Sequence, residues 1–220
     1  MGEPDAAVAG GAGTRLPCEK KSIHATERDT DENRLRRISF LAELETIQPE
    51  CLVYLDESGV STQMTRTLAR ARRGQRIHDA VPAGHWKILT LVGALSIRGM
   101  LASMTVEAAT DGDVFFAFLD HFLCPKLRPG DVLVMDNLSV HKLEGVRQRV
   151  EAVGARLLYL PPYSPDLNPI EKAWSKLKTL LRSEKARTPE ALHNAIERRL
   201  PAITAQDAQA WFRLPFAVQL

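Results

Sequence analysis

Cysteine is scarce in this 220-residue sequence. Cys18, Cys51 and Cys124 are scattered, odd in number and without metal-type spacing, so neither a disulfide framework nor a cysteine metal centre is expected. Long apolar runs are also missing. The longest, Ile88 to Ile97, is far too short to span a bilayer, and no signal-peptide pattern opens the chain. A large excess of either charge is absent too. The formal net charge is +2, so partners must be read from local clusters. These absences predict a cytoplasmic protein with no membrane partner. What remains, 45% hydrophobic and 25% charged residues, is ordinary for one soluble domain with a real core.

Residues 1–20 are rich in Gly, Ala and Pro without periodicity and are expected to be a disordered tail. Residues 21–50 read as a linker with one short amphipathic helix, its apolar face being Leu35, Ile38, Leu41 and Leu44. Arg34, Arg36 and Arg37 fall on its outer face, either solvated or an edge touching DNA. Residues 51–220 then alternate strand and helix patterns. Cys51 to Leu55 is a buried strand, and Lys87 to Ile97 with Met100 to Val106 is a hairpin turning at Arg98-Gly99. A helix follows, opened by a Thr110–Asp113 capping box, with Val114, Phe118, Leu119, Phe122 and Leu123 inward. Next come a strand at Asp131 to Met135, a helix from Leu143 to Val153 stopped by Gly154, and a strand from Arg156 to Leu160. Helices near 188–200 and 205–212 close the chain. This order predicts an α/β fold, a mixed sheet of about five strands with helices on both faces.

Two of those strands end in acids, Asp56 and Asp136, where sites form at the carboxyl ends of parallel strands. Alone, each is most simply the chain emerging into water. If the first strand continues, Asp56 and Glu57 point to opposite faces, and Glu57 is read as structural, pairing with an arginine. A third acid, Glu171, stands in LPPYSPDLNPIEKAWSKLKTLLR. Four prolines stiffen the first half, Asn168-Pro169 signals a helix start, and Ile170, Trp174, Leu177 and Leu181 give one apolar face. Glu171 either completes a capping box with Asn168 or is delivered to a site at fixed depth. Three carboxylates converging without His or Cys would suit Mg²⁺ or Mn²⁺, and two such ions can drive phosphodiester chemistry.

Other candidates surround these acids. Arg66, Arg70, Arg72, Arg73 and Arg76 lie in an acid-free stretch, either a solvated loop or a phosphate-contacting surface. Lys178 and Arg182 extend the basic stripe behind Glu171. Asn137 either orients a metal-bound water or makes a turn, and His141 either supports the site or starts a helix. Tyr163 is read as packing, with a sugar or base contact as the alternative. His85-Trp86 is read as packing under the arginine-rich loop.

Asp56 in YLDESG, Asp136 in VMDNLSVH and Glu171 in the proline-rich motif resemble the three catalytic acids of bacterial insertion-sequence transposases of the Tc/mariner superfamily. The 34 residues between Asp136 and Glu171 agree with that resemblance, which runs from about Lys20 to near the C-terminus. It implies a ribonuclease-H-like fold and two Mg²⁺ ions held by Asp56, Asp136 and Glu171. The activity implied is DNA cleavage and strand transfer on double-stranded DNA, both element ends and target. It also implies a nucleoid-associated protein that acts as a homodimer or with a separately encoded DNA-binding half. Such transposases carry a helix-turn-helix domain ahead of the catalytic domain, and only 55 residues precede Asp56 here. The chain then reads either as the second half of a split or frameshifted reading frame or as a truncated remnant. The alternatives are an inactive remnant that binds only DNA or intact transposase, and a host nuclease of the same fold.

Overall fold

The computed structural model describes residues 25–107 and 110–213; the expected tail at residues 1–20 lies outside them. Five strands form one sheet in the order β3-β2-β1-β4-β5. β1 (Leu52–Ser61), β2 (Ile88–Ser96) and β3 (Gly99–Val106) are antiparallel neighbours, while β4 (Val132–Met135) and β5 (Arg156–Tyr159) run parallel to β1. One face is covered by α1 (Asp31–Glu45), α4 (Ile170–Glu184), α5 (Pro189–Arg199) and α6 (Ala205–Phe212). The other carries α2 (Gly112–Phe118) and α3 (Glu144–Ala152). Two apolar cores thus sandwich the central strands, as the buried run Leu52–Leu55 requires. This is the mixed, doubly covered sheet that the sequence predicts, in the ribonuclease-H-like arrangement.

Several local expectations are corrected. β1 runs on to Ser61 instead of ending at Leu55, because β2 pairs with it from Val53 to Ser61 and satisfies its backbone past Gly59. The hairpin's central pair is Ile97–Arg98, with Gly99 taking a φ of 111° at the start of β3. α2 is capped by Asp111, which accepts from the Val114 amide at 2.9 Å, not by Thr110. It then winds into a π-type turn, Leu119–Leu123, which swings Phe122 outward and leaves Phe115 in the core. Leu143 is exposed at the start of α3, while Val146 and Val150 are buried. Gly154 does end that segment, at a φ of 79°.

The largest correction is the face of α1. Asn33, Arg37, Phe40 and Leu44 are buried, while Leu35 and Ile38 are 64% and 46% exposed. Arg37, read as an outward residue, is only 2% exposed. Its guanidinium takes Asp166 as a bidentate partner, at 3.1 and 2.8 Å, and donates to the Ser164 hydroxyl at 2.8 Å. Two strong, directional charge-assisted bonds outweigh the apolar periodicity and set the helix rotation. They also tie α1 to the proline-rich loop.

Candidate active site

The parallel pairing of β1 with β4 places the two aspartates. The ladder ends at Tyr54 opposite Val134. Two residues further along each strand, on the same face, stand Asp56 and Asp136. β5 brings in the third element. The Leu160 amide donates to the Met135 carbonyl at 2.8 Å, and the Asn137 side-chain amide donates to the Leu160 carbonyl. The chain then passes Pro161 and Pro162 into a short 3-10 turn, Pro165–Leu167, and enters α4. Asp56, Asp136 and Glu171 all line one cleft of about 280 Å³, walled by Asn137, Leu138, Asn168 and the proline-rich loop.

No side chain caps α4, so the Asn168–Glu171 capping box is not formed. The Asn168 Oδ1 is instead buried without a partner in the wall of the cleft. Glu171 is consequently free of a structural hydrogen-bonding role at its helix start.

The acids are held differently. Trp174 Nε1–H donates to Asp56 Oδ2 at 3.2 Å. Trp174 fits there because its neighbour across the strand pair is Gly93, opposite Asp56, where an added Cβ would lie 2.5 Å from the indole. Burial, then the negative charge of Glu171, push the Asp56 carboxyl up to about 7; Asp136 adds to this, against the opposing backbone and Trp174 hydrogen bonds. Asp136 accepts from the Leu138 amide at 3.0 Å and meets His141 Nδ1 at 2.7 Å. Burial raises the Asp136 carboxyl, but those hydrogen bonds outweigh it and hold the group below the usual range. His141 is fully buried, and its Nε2 lies 3.7 Å from Glu57 Oε1. Burial pulls the imidazole down, yet the hydrogen bond to Asp136 and then the Glu57 carboxylate lift it to about 9. Glu57, on the opposite face of β1 from Asp56, thus supports Asp136 through His141 and not through an arginine.

These donors fit a hard divalent cation. They are oxygen-only, and Asp56 is raised first by burial and then by the charges of Glu171 and Asp136, which a cation would neutralise. No three His, Cys, Asp or Glu side chains among the described residues are already gathered as a metal-binding group.

The basic candidates occupy two places. All five arginines of the 62–87 segment are exposed. Arg66 and Arg70 face a larger cleft, about 670 Å³, shared with Ser183 and Lys185 at the end of α4. Lys178 and Arg182 are half-buried along α4. His85 and Trp86 are exposed and do not pack beneath the loop. Arg37, Trp174 and Glu57 are the site-supporting residues that sequence reasoning missed. Of these, only Glu57 carried a signal, its place one residue beyond Asp56 on a continuing strand.

Comparison with known proteins bears on the family and the fold. The sequence model for the DDE superfamily endonuclease matches residues 51–193. A pre-cleavage Mos1 transpososome superposes with a TM-score of 0.77 at 15% identity, over 93% of this chain and 65% of that one. A Mos1 mariner paired-end complex with Mn gives 0.75 at 17% identity, again over 93% and 65%. The Mos1 transposase catalytic domain with raltegravir and Mg gives 0.62 at 15% identity, over 88% of this chain and 93% of that one. The chain therefore spans just under two thirds of the transposase chains in the DNA complexes, and at these identities the likeness establishes the fold. Among curated proteins, no sequence match was found. No helix among the described residues is long and apolar enough to cross a membrane.

Proposed function

This chain belongs to the DDE superfamily endonucleases, and we propose that it is a transposase catalytic domain performing Mg²⁺-dependent DNA cleavage and strand transfer. The observation that carries this reading is the convergence of Asp56, Asp136 and Glu171 on one cleft, with Glu171 released from any capping role. The three would hold two Mg²⁺ ions, with Mn²⁺ as a substitute. When bound, such ions acidify a water or 3′-hydroxyl and offset charge on the phosphodiester.

The protein's own residues supply position. Trp174 fixes the Asp56 carboxylate from the core side, leaving its other oxygen to the cleft. His141 and the Leu138 amide both hold Asp136 Oδ1, which presents Oδ2. Asn137 locks the end of β4 to the start of the proline-rich loop, so Asp136 and Glu171 keep their spacing. Fixed donors of this kind lower the reorganisation needed as charge develops. Arg66, Arg70, Arg72, Arg73 and Arg76, with Lys178 and Arg182, supply phosphate contacts to element ends and target. Joining two ends to one target asks for two active sites, hence a homodimer or pairing with a separate DNA-binding half. Such a protein works in the cytoplasm on the nucleoid.

Glu171→Gln tests the reading. It removes a charge without removing a cap, so the melting temperature should stay within about 2 °C, given that neutral surface changes cost under about 0.5 kcal/mol. Mg²⁺-dependent nicking of an end-containing duplex, with a DNA-binding half supplied in one arm, should fall roughly 10²–10³-fold. An undiminished rate would remove Glu171 from the site. No cleavage by the unmutated protein in either arm would favour a DNA-binding remnant.

A further inference from the structure

Tyr163 stands at the mouth of the acidic cleft in a backbone conformation its side chain disfavours. Its φ is 55°, in the left-handed region that bulky residues rarely enter. The chain on both sides enforces that conformation. Pro161 and Pro162 precede it, and the Ser164 hydroxyl donates to the Pro162 carbonyl at 2.9 Å. Ser164 is itself gripped by the buried Arg37. Strain maintained by so many restraints is a mark of a site, not of an accident of packing. Yet half of its surface is open: Tyr163 is 50% exposed, and among the described residues it makes no side-chain hydrogen bond or ring contact. Leu138, also exposed, lines the same cleft, so an aromatic and an aliphatic side chain line it together with the acids.

Resting on the reading of this cleft as a DNA-cleaving site, we propose that Tyr163 is a substrate-positioning residue that stacks on the nucleobase next to the scissile phosphate. A strand whose phosphate lies among the three acids must place an adjacent base near the rim. Every base has a π-face that a projecting tyrosine can cover without reading sequence. Leu138, in the same lining, offers further apolar contact of the kind that bases drawn out of a stack commonly receive. Acids engaged with the phosphate would leave the base to other groups of the cleft, and Tyr163 offers it a face.

The test maps the cleaved bond with the unmutated full chain, then places 2-aminopurine at each flanking position in turn. Fluorescence is read in a Glu171→Gln background, and cleavage kinetics in the unmutated background. Tyr163→Phe should keep both the quenching and the KM. Tyr163→Asn, whose side chain tolerates the left-handed region, should lose the quenching and raise KM roughly 10-fold, within the range that loss of base stacking produces. Tyr163→Gly should do the same while melting at or above the unmutated temperature, since it relieves the backbone. A residue serving only structure would show the reverse, a lower melting temperature with unaltered quenching. If the unmutated chain cleaves and Tyr163→Asn matches it in quenching and KM, stacking is wrong while the cleavage function stands. If the unmutated chain does not cleave, the functional reading falls and this inference falls with it.

Discussion

The acidic cleft and the arginine-bearing segment 62–87 are built on opposite principles. In the cleft, two carboxylates are fixed from behind: Asp56 by Trp174, Asp136 by His141 and a backbone amide, and the loop leading to Glu171 by Arg37. In the 62–87 segment, anchoring is confined to the base. Thr62 and Lys87 exchange hydrogen bonds at 3.0 and 3.1 Å, and Arg187 donates to the Thr62 and Met64 carbonyls. Asp79 is tied to Thr65 and Lys185 at 3.0 and 2.8 Å. Beyond these ties the five arginines are left in solvent. Under the proposed function the contrast follows from what each would meet. Metal and phosphoryl chemistry tolerates little displacement, whereas a polyanionic backbone can be met by mobile cations with no fixed register.

That contrast predicts that stability resides with the cleft. Arg37 offers the largest effect. Arg37→Ala removes a buried cation from a bidentate pair and leaves Asp166 with Arg28 alone, 3.5 Å away. Breaking a buried pair from one side costs about 3–5 kcal/mol, and the residual Arg28 contact places this case near the lower end. Urea unfolding should show that loss, and nicking should fall with it because the loop delivering Glu171 loosens. Arg37→Lys should recover only part, since a point charge cannot reproduce the fork. A variant as stable as the unmutated protein would mean that the prolines alone stiffen the loop.

The next effect links pH to metal. Asp56 is raised to about 7 from an unfolded value near 3.8. Its contribution to stability is therefore fully present below about pH 4 and lost as pH rises through 7. His141, raised to about 9, acts in the same direction over a higher window, with its contribution present below about 6.5 and lost through 9. In chelator the melting temperature should decline from pH 5 to pH 8, less so for Asp56→Asn. Mg²⁺ should reverse the decline at pH 8, worth about 2.7 kcal/mol at a hundredfold excess over Kd, and do little at pH 5. A protein indifferent to Mg²⁺ at pH 8 would argue against the acids as its ligands.

Much of this was legible in the sequence, unevenly so. Asp136 could be placed because a short apolar run that stops at an acid marks a strand end. Asp56 was read in the same way, but it lies inside β1, and it comes beside Asp136 because the parallel ladder with β4 stops at Tyr54. Glu171 could be placed because prolines restrict the chain locally. Arg37 could not, since its burial depends on Asp166, 129 positions away, and helical periodicity alone favoured Leu35 and Ile38. Trp174 was correctly assigned to the core by spacing. Its second task, holding Asp56, needs the absence of a side chain at Gly93, a fact of pairing that no local pattern contains.

The smallest effect on stability is expected where the molecule is most exposed. Changing Arg70, Arg72 and Arg73 together to alanine touches no buried partner, and surface changes of this kind stay within about 0.5 kcal/mol each. None of the three makes a hydrogen bond or ion pair through its side chain among the described residues. Their contribution should appear only with DNA present. Removing one cation that neutralises a phosphate lowers the slope of log affinity against log salt by about 0.9, so the triple variant should lower it by up to about 2.7. The change should be equal for unrelated duplex sequences, because a phosphate carries no base identity. Fluorescence anisotropy across a salt series, with melting curves run in parallel, measures both quantities. An unaltered slope would show that this segment is not a phosphate surface and would shift DNA binding to Lys178 and Arg182 on α4. A lowered melting temperature would instead show that the arginines serve the fold, and the division of labour between cleft and segment would fail.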